Sequence, residues 1–288
     1  MNIEWRRIGA WGSLFRIFFR RHMQLRYAWI EWFLPFEILN VLVGLATYYF
    51  VAAMFGSSSP FLQAYGGNFT AYLILGMGLN GFLTLSLNGL YNVIADIYSS
   101  YFWSGGRKLT TIDYLTLANI PVSIWIFSEL LWMYFQTGIN LAAYLVGGTV
   151  FFGLPMDITA NWTGAVIAML LGILATTGVG LISASMVYLV DAWHGQEPIQ
   201  WTINLLAGIV SGVYFPPEIL PEWLKTISCY LPQTYTLRAA RLAILQGYNI
   251  GLLLPDITVL AIFALLFPTG IIIFKWSGEF AKKKISTM

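Results

Sequence analysis

Three acidic side chains in or beside strongly apolar stretches are the residues of this sequence that could do chemistry. Glu129 lies within IFSELLWMYF, whereas Glu37 and Asp96 lie at the ends of two other apolar stretches. A carboxylate inside a lipid bilayer is energetically unfavourable and often marks a proton or ion site. Glu129 therefore fits either a proton-coupled carrier or a structural hydrogen bond to a neighbouring helix. Glu37 and Asp96 are expected to face lipid headgroups or partner chains.

The sequence lacks the common motifs for catalysis and for nucleotide or metal binding. It contains no HExxH, GxSxG or GxxxxGK[ST] pattern, and so no zinc-protease helix, nucleophile elbow or P-loop is predicted. His22 and His194 are far apart, and Cys229 is the single cysteine, so we expect neither a metal site nor a disulfide. The chain is predicted not to be an enzyme and to hold no cofactor itself.

The composition places these residues in a membrane. Hydrophobic residues make up 58% of the chain and charged residues only 10%, with a mean hydropathy of +0.71. Soluble domains have about 25% charged residues, so this chain cannot hide its apolar surface from water. Its 15 basic and 13 acidic residues nearly balance, which gives no indication of a nucleic-acid partner. Lipid is the expected surrounding.

Six segments are apolar enough for membrane helices, since a span needs about 20 such residues. They are 36–55, about 69–95, about 122–149, about 162–190, about 199–215 and about 250–274. The predicted fold is an all-α integral membrane protein with six transmembrane helices, in a single domain over 1–288. Before the first span, residues 1–34 carry apolar side chains at spacings of three and four among arginines. This pattern predicts an amphipathic helix on the membrane surface, or alternatively a tilted basic leader that only sets topology.

The basic residues predict the orientation of these spans. Twelve of the fifteen lie before span one, between spans two and three, or in the tail at 275–288. With six spans these regions share one side, and positive charge stays cytoplasmic. Both termini and the tail are therefore predicted to be cytoplasmic, in a multi-pass plasma-membrane protein. Lys225, Arg238 and Arg241 are the basic residues predicted on the outer side.

The inner loop (96–125) contains signals for a short helix. Gly105 and Gly106 are expected to break the helix that leaves the membrane, and Thr110 or Thr111 to cap a new one. Asp113 then falls in the first turn, where negative charge is favourable.

This predicted helix ends at Asn119, and Pro121 begins the next span. It exposes Tyr114 and Leu117, which suits docking into a protein groove. The alternative is an interfacial helix without a partner.

The outer segment (216–249) is longer than the other outer connections and rich in proline. In SGVYFPPEILPEWLK, Pro216 and Pro217 are expected to end span five, and Pro221 to lie in the first turn of a half-helix. That half-helix is expected to dip into the outer leaflet and return through Pro232, capping a transport path. The alternative is a merely interfacial amphipathic loop. Arg241 follows, three residues after Arg238 and on the same helical face.

Together, these features resemble the ABC-2 permeases, the membrane subunits of ABC exporters. The resemblance covers essentially the whole chain, in the order basic amphipathic helix, six spans, GGRKLTTIDYLTLANIPVS and the outer segment. Its most specific part is 211–241, with Ser211-Gly212, Phe215-Pro216, Leu220-Pro221, Trp223-Leu224, Leu231-Pro232 and Arg241. Asp113 stands where Glu is commoner in the family, and Asn119 where Ser is usual.

The resemblance implies a permease subunit that exports a lipid, drug or glycan-type substrate. Two copies, as a homodimer, would form the path, and two copies of a separate ABC ATPase subunit would bind ATP and Mg. The implied ATPase-coupling residues are Gly105, Gly106, Arg107, Lys108, Thr111, Asp113, Tyr114 and Leu117. The expected outer re-entrant gate comprises Phe215, Pro216, Glu218, Leu220, Pro221, Trp223, Pro232 and Arg241. The alternatives are a proton-coupled secondary transporter using Glu129, and a membrane scaffold or lipid-modifying enzyme.

Overall fold

A computed structural model of the 288-residue chain describes residues 2–27, 30–55, 60–104, 107–153, 160–190 and 198–286. The first half contains α1 (Asn2–Tyr27), α2 (Ile30–Phe55), α3 (Phe69–Ser99), β1 (Tyr101–Ser104), β2 (Arg107–Thr110), α4 (Thr111–Leu117) and α5 (Val122–Phe152). The second half contains α6 (Trp162–Val190), α7 (Pro198–Val210), α8 (Glu222–Ser228), α9 (Pro232–Gln246), α10 (Ile250–Ala264) and α11 (Leu266–Ser286). Short 3-10 turns cover Pro60–Tyr65 and Pro217–Ile219.

Membrane-spanning character is present in three helical stretches of the described residues. Phe69–Ser99, Trp162–Leu189 and Ile250–Phe280 are each long and apolar enough to cross a bilayer. The last of these runs from α10 into α11 across Leu265. The predicted helical class is confirmed, with three helices long and apolar enough to span a membrane, and the number of six spans stays a prediction.

The predicted fifth span, 199–215, differs from the structure in its extent. Its helix, α7, has 13 residues and ends at Val210, so it rises about 20 Å, short of a hydrocarbon core of about 30 Å. Pro216 and Pro217 therefore do not end this helix, because the chain has already left helical geometry at Ser211.

Helix α6 lies at the centre of the packing and contacts α3, α9, α10 and α11. Small side chains line these contacts, and several are wholly inaccessible: Ala168, Ala175 and Ala184 on α6, and Ala239, Ala240 and Ala243 on α9. Without a hydrophobic driving force between helices in lipid, small residues permit the close backbone approach that stabilises their association. This core fixes the position of α9, which carries Arg238 and Arg241.

The amphipathic helix α1 lies along α5. Ring centroids are 5.1 Å apart for Phe18 and Trp125, and 5.6 Å apart for Phe15 and Phe127. The Arg21 guanidinium lies 4.8 Å from the Trp125 ring centroid, which favours a cation–π contact. At least part of the apolar face predicted to contact the membrane surface therefore packs on another helix of the same chain.

A β-hairpin interrupts the predicted all-α pattern in the inner loop. Strands β1 and β2 pair antiparallel, with Tyr101 opposite Thr110 and Ser104 opposite Arg107. Aromatic residues in Tyr101–Ser104 favour extended backbone over helix, and α3 has already ended at Ser99. Gly105 and Gly106, predicted to break the helix, lie outside the described residues. The break occurs before them, as a change from helix to strand.

Candidate functional site

The hairpin leads directly into a short helix whose first turn is closed by local hydrogen bonds. The Thr110 backbone N–H donates to the Asp113 carboxylate at 2.7 Å, and the Asp113 N–H donates to the Thr110 hydroxyl oxygen at 3.4 Å. This reciprocal pair is a capping box. Thr110, rather than Thr111, is therefore the capping residue. The side-chain and backbone hydrogen bonds from Thr110 lower the pKa of Asp113.

Helix α4 presents one face to the core and another outward. Leu115 is buried, and the helix contacts α3 and α5. On the other face, Leu117 is 76% exposed and Tyr114 38%. Asn119 has a left-handed φ of 52°, and α5 begins directly after Pro121. The predicted short helix and its two exposed apolar residues are confirmed as structure, but the helix ends at Leu117, two residues before the predicted Asn119.

At the other end of α3, a buried arginine joins three segments of the chain. Arg241 on α9 is 1% exposed and donates to the carbonyls of Tyr72, Gly212 and Val213 at 3.1, 2.6 and 2.9 Å. Its guanidinium carbon lies 3.6 Å from the Tyr72 ring centroid, and the Tyr72 hydroxyl donates to the Gly212 carbonyl at 2.7 Å. We call Arg241 and these three carbonyls the arginine anchor.

Two glycines make the arginine anchor possible. Gly212 has a φ of 82°, a left-handed conformation that other residues rarely adopt, and it turns the chain after α7 so that its carbonyl meets Arg241. A Cβ on Gly76 would lie 1.8 Å from Arg241 Nη2 and 2.4 Å from the Val213 carbonyl oxygen. The helix α3 therefore needs glycine at position 76 for the guanidinium to fit.

The other predicted gate residues are spread along the chain from the turn before α8 to the start of α9. Pro216 precedes the 3-10 turn that includes Glu218, and Leu220 ends it. Pro221 caps α8, close to its predicted place, but the half-helix predicted between Pro217 and Pro232 is reduced to Glu222–Ser228.

Side-chain exposure also separates these gate residues. Phe215 and Trp223 are 44% and 66% exposed, whereas Pro232, at the start of α9, is buried. Arg241 is the predicted gate residue that lies deepest.

An open cavity of about 520 Å³ lies between α3, α5 and the segment after α7. Polar side chains at every fourth position of α3 form one wall, which we call the polar face: Asn80, Thr84, Asn88 and Asn92. Met133 and Tyr144 of α5 lie opposite, with Val213 and Tyr214 at one end. Val213 is also part of the arginine anchor, so the anchor shapes this end of the cavity.

Hydrogen bonding along the polar face is incomplete. Asn80 Nδ2 donates to Thr84 Oγ1 at 3.2 Å, and Asn204 Nδ2 on α7 donates to Asn88 Oδ1 at 2.9 Å. Asn80 Oδ1 is buried and accepts no hydrogen bond among the described residues. These residues were not predicted from the sequence. The signal was available, as a four-residue spacing of amides and a hydroxyl in an otherwise apolar span.

The acidic residues considered first lie away from this cavity. Glu129 Oε2 is 3.3 Å from Nε2 of His22, at the contact between α1 and α5. Glu37 was expected to face headgroups or partners. It instead accepts hydrogen bonds from Gln136 and Asn140 of α5, at 3.4 and 3.2 Å.

The remaining predicted residues add no further site. Asp96 is exposed near the end of α3. Within the described residues, no group of three or more His, Cys, Asp or Glu is placed to hold a metal ion. Arg107 and Lys108 lie in β2, opposite Ser104 and Trp103.

Comparison with known proteins adds no relative to this picture. No protein-family model matches the sequence, and no curated protein matches it significantly. The inner loop, the arginine anchor and the cavity are therefore the features of the molecule that bear on its function.

Proposed function

We propose that the chain is the permease subunit of an ATP-driven exporter and that a separate ATPase subunit docks on α4. The exposed face of this helix carries the proposal. Tyr114 and Leu117 project from a helix held by its own capping box and by the burial of Leu115. A short, preorganised helix with two exposed apolar anchors suits insertion into a groove of a partner protein. The resemblance of the inner loop and of 211–241 to ABC-2 permeases supports the same assignment.

The position of α4 suits transmission of a partner's movement to the membrane. It follows the hairpin after α3 and is separated from α5 by only a few residues, including Asn119 and Pro121. Those two long helices contribute opposite walls of the cavity. ATP-driven closure of two docked ATPase subunits would displace both α4 helices of a permease dimer. The cavity would then shift between inward-open and outward-open states, as a population change driven by the ATPase.

The apolar surfaces of α2 and α7 support assembly in the membrane. Val43 and Phe50 on α2 are exposed, as are Trp201, Leu205 and Ile209 on α7. Such surfaces fit lipid tails or a second copy of the chain. A homodimer that exports a lipid, drug or glycan-type substrate from the cytoplasm is the assembly we propose.

Co-purification tests the docking surface directly. The double substitution Tyr114→Ala and Leu117→Ala should lower recovery of a co-expressed ATPase subunit about tenfold or more, because truncated apolar anchors dominate such interfaces. Trp223→Ala is the control, since Trp223 is also a large exposed apolar residue but lies on α8. Unchanged ATPase recovery together with unchanged ATP-driven transport would show that α4 is not the docking helix.

A proton-coupled carrier is the second candidate, favoured by the contact between His22 and Glu129. Both residues can exchange protons, but they lie where α1 meets α5 rather than on the cavity wall. We therefore expect Glu129→Gln to weaken the attachment of α1 and to leave transport dependent on ATP. Uptake driven by a pH gradient in proteoliposomes without ATPase, and abolished by Glu129→Gln, would establish the carrier instead.

A further inference from the structure

We propose that the cavity beside the polar face binds a neutral, hydrogen-bond-donating group of the cargo, such as a hydroxylated or amide-bearing headgroup. This inference rests on the proposed function, because it names the class of molecule that the permease moves. It is carried by the lining of the cavity and by the unsatisfied oxygen of Asn80.

The absence of charge on the lining excludes ionic headgroups. Among the described residues that line the cavity, none is Asp, Glu, Lys, Arg or His. A charged group moved from water into such a site loses its hydration without gaining a counter-charge, which is strongly unfavourable. Arg241, although close to one end, is not available, because its guanidinium already donates to the carbonyls of the arginine anchor.

The amides of the polar face argue equally against a wholly apolar occupant. Asn80 Oδ1 is already buried without a donor among the described residues, and a hydrocarbon occupant would supply none, so the desolvation penalty of this acceptor would stay uncompensated. A ligand hydroxyl or amide N–H would satisfy this oxygen. The spacing of Asn80, Thr84 and Asn88 along α3 offers further amide and hydroxyl groups one helical turn apart. A ligand with several hydroxyl or N–H groups could therefore hydrogen-bond to successive turns of α3 at the same time.

The opposite side of the cavity suits the less polar part of the same molecule. Met133 and Tyr144 of α5 lie on that side, and Met77 and Leu85 add apolar surface beside the polar face on α3. Methionine side chains are flexible and polarisable, and they accommodate irregular apolar surfaces. At about 520 Å³, the cavity has the size of ordinary small-molecule sites. It fits a headgroup with its first apolar carbons rather than a whole lipid.

Binding of three matched probes to the purified chain, without ATPase or nucleotide, tests this inference. The probes share one fluorescent acyl tail and differ in the headgroup: glucosyl, phosphate or trimethylammonium. We expect the glucosyl probe to bind most tightly in fluorescence anisotropy titrations. Asn80→Leu should weaken its binding about tenfold, since a buried hydrogen bond to a neutral acceptor is lost. Thr149→Val is the control, because the Thr149 hydroxyl donates only within its own helix, to Val146, outside the cavity.

Asn80→Asp provides a second test, because a misfolded variant would lose binding of all probes rather than gain affinity for one of them. It places a negative charge on the same wall, so the ratio of trimethylammonium to glucosyl affinity should rise about tenfold. Equal or tighter binding of a charged probe by the unmodified protein would overturn the inference. So would an unchanged glucosyl affinity in Asn80→Leu, or an unchanged ratio in Asn80→Asp.

The outcome is separable from that of the docking experiment. Probe binding needs no ATPase, whereas recovery of the ATPase subunit needs no cargo. If the glucosyl probe did not bind most tightly while the ATPase still docked at Tyr114 and Leu117, only the proposed cargo class would be wrong. If the glucosyl probe bound most tightly but no ATPase docked on α4, the proposed exporter function would be wrong and the proposed binding of a neutral headgroup in the cavity would stand.

Discussion

The arginine anchor and the inner loop both provide hydrogen bonds to backbone groups near helix ends. The anchor does so through long-range contacts and the inner loop through local ones. In the anchor, one buried side chain on α9 binds the carbonyl of Tyr72, 169 residues away, and those of two residues just after α7. In the inner loop, Thr110 and Asp113 satisfy each other across three residues.

The two regions therefore differ in how easily they can move. Removing Arg241 takes a charged donor from three buried carbonyls, of which only that of Gly212 also accepts from the Tyr72 side chain, so the geometry of the anchor cannot change at low free energy. The capping box is exposed and self-contained, so α4 keeps its shape while Tyr114 and Leu117 stay open to a partner. We infer that the anchor holds one end of the cavity rigid, and that movement enters the chain at α4.

The largest expected effect comes from removing the buried guanidinium. Arg241→Met should destabilise the protein by about 3–5 kcal/mol, because three buried carbonyls lose a charged donor at once. The measurement is the midpoint of thermal unfolding of the detergent-solubilised protein. Lys225→Met is the matched control, since Lys225 pairs with Glu222 at the surface and should contribute little. Equal midpoints for the two variants would contradict the role of the anchor.

A smaller effect is expected from crowding the anchor without removing it. Gly76→Ala places a methyl group against Arg241 and the Val213 carbonyl, and overpacking of this kind destabilises by about 1–3 kcal/mol. Gly138→Ala on α5 is the control, because a Cβ there meets nothing within 4 Å; it should be neutral or stabilising. In the double variant with Arg241→Met, the effect of Gly76→Ala should shrink, as expected for coupled sites.

Local signals made the inner-loop helix predictable from the sequence. Thr110, Asp113 and Pro121 each act within one helical turn, so the limits of α4 and the start of α5 follow from neighbouring residues. The hairpin before it was missed. Two adjacent glycines suggested a break at 105–106, but the aromatic strand Tyr101–Ser104 had already ended the helix.

The arginine anchor and the cavity depend on contacts distant in sequence. The spacing of Arg238 and Arg241 suggested a common face, yet Arg238 pairs with Asp256 of α10, while Arg241 binds backbone carbonyls. No local pattern identifies those partners. The early end of α7 has the same cause, because the turn at Gly212 is held by Arg241 rather than by the prolines that follow it.

The smallest expected effect concerns the pH dependence of the capping box. Hydrogen bonds from Thr110 lower the pKa of Asp113, so its stabilisation of α4 is complete above the unfolded pKa of about 3.9. That stabilisation should disappear as the pH falls through the lower, folded-state pKa. Amide hydrogen exchange over 113–117 should be compared at each pH with that of the Asp113→Asn variant. This comparison separates the stabilisation of α4 by the Asp113 carboxylate from the intrinsic pH dependence of exchange.

The sharper outcome is a divergence between the two regions. As the pH falls below the unfolded pKa of Asp113, protection of α4 should fall toward that of the Asp113→Asn variant. Amides around Arg241 should stay protected, since the carbonyls that Arg241 binds do not titrate. Simultaneous loss of protection at both places would mean that the two regions unfold together. The inner loop would then not be an independent, self-capped docking element, because its stability would depend on the same long-range contacts as the anchor.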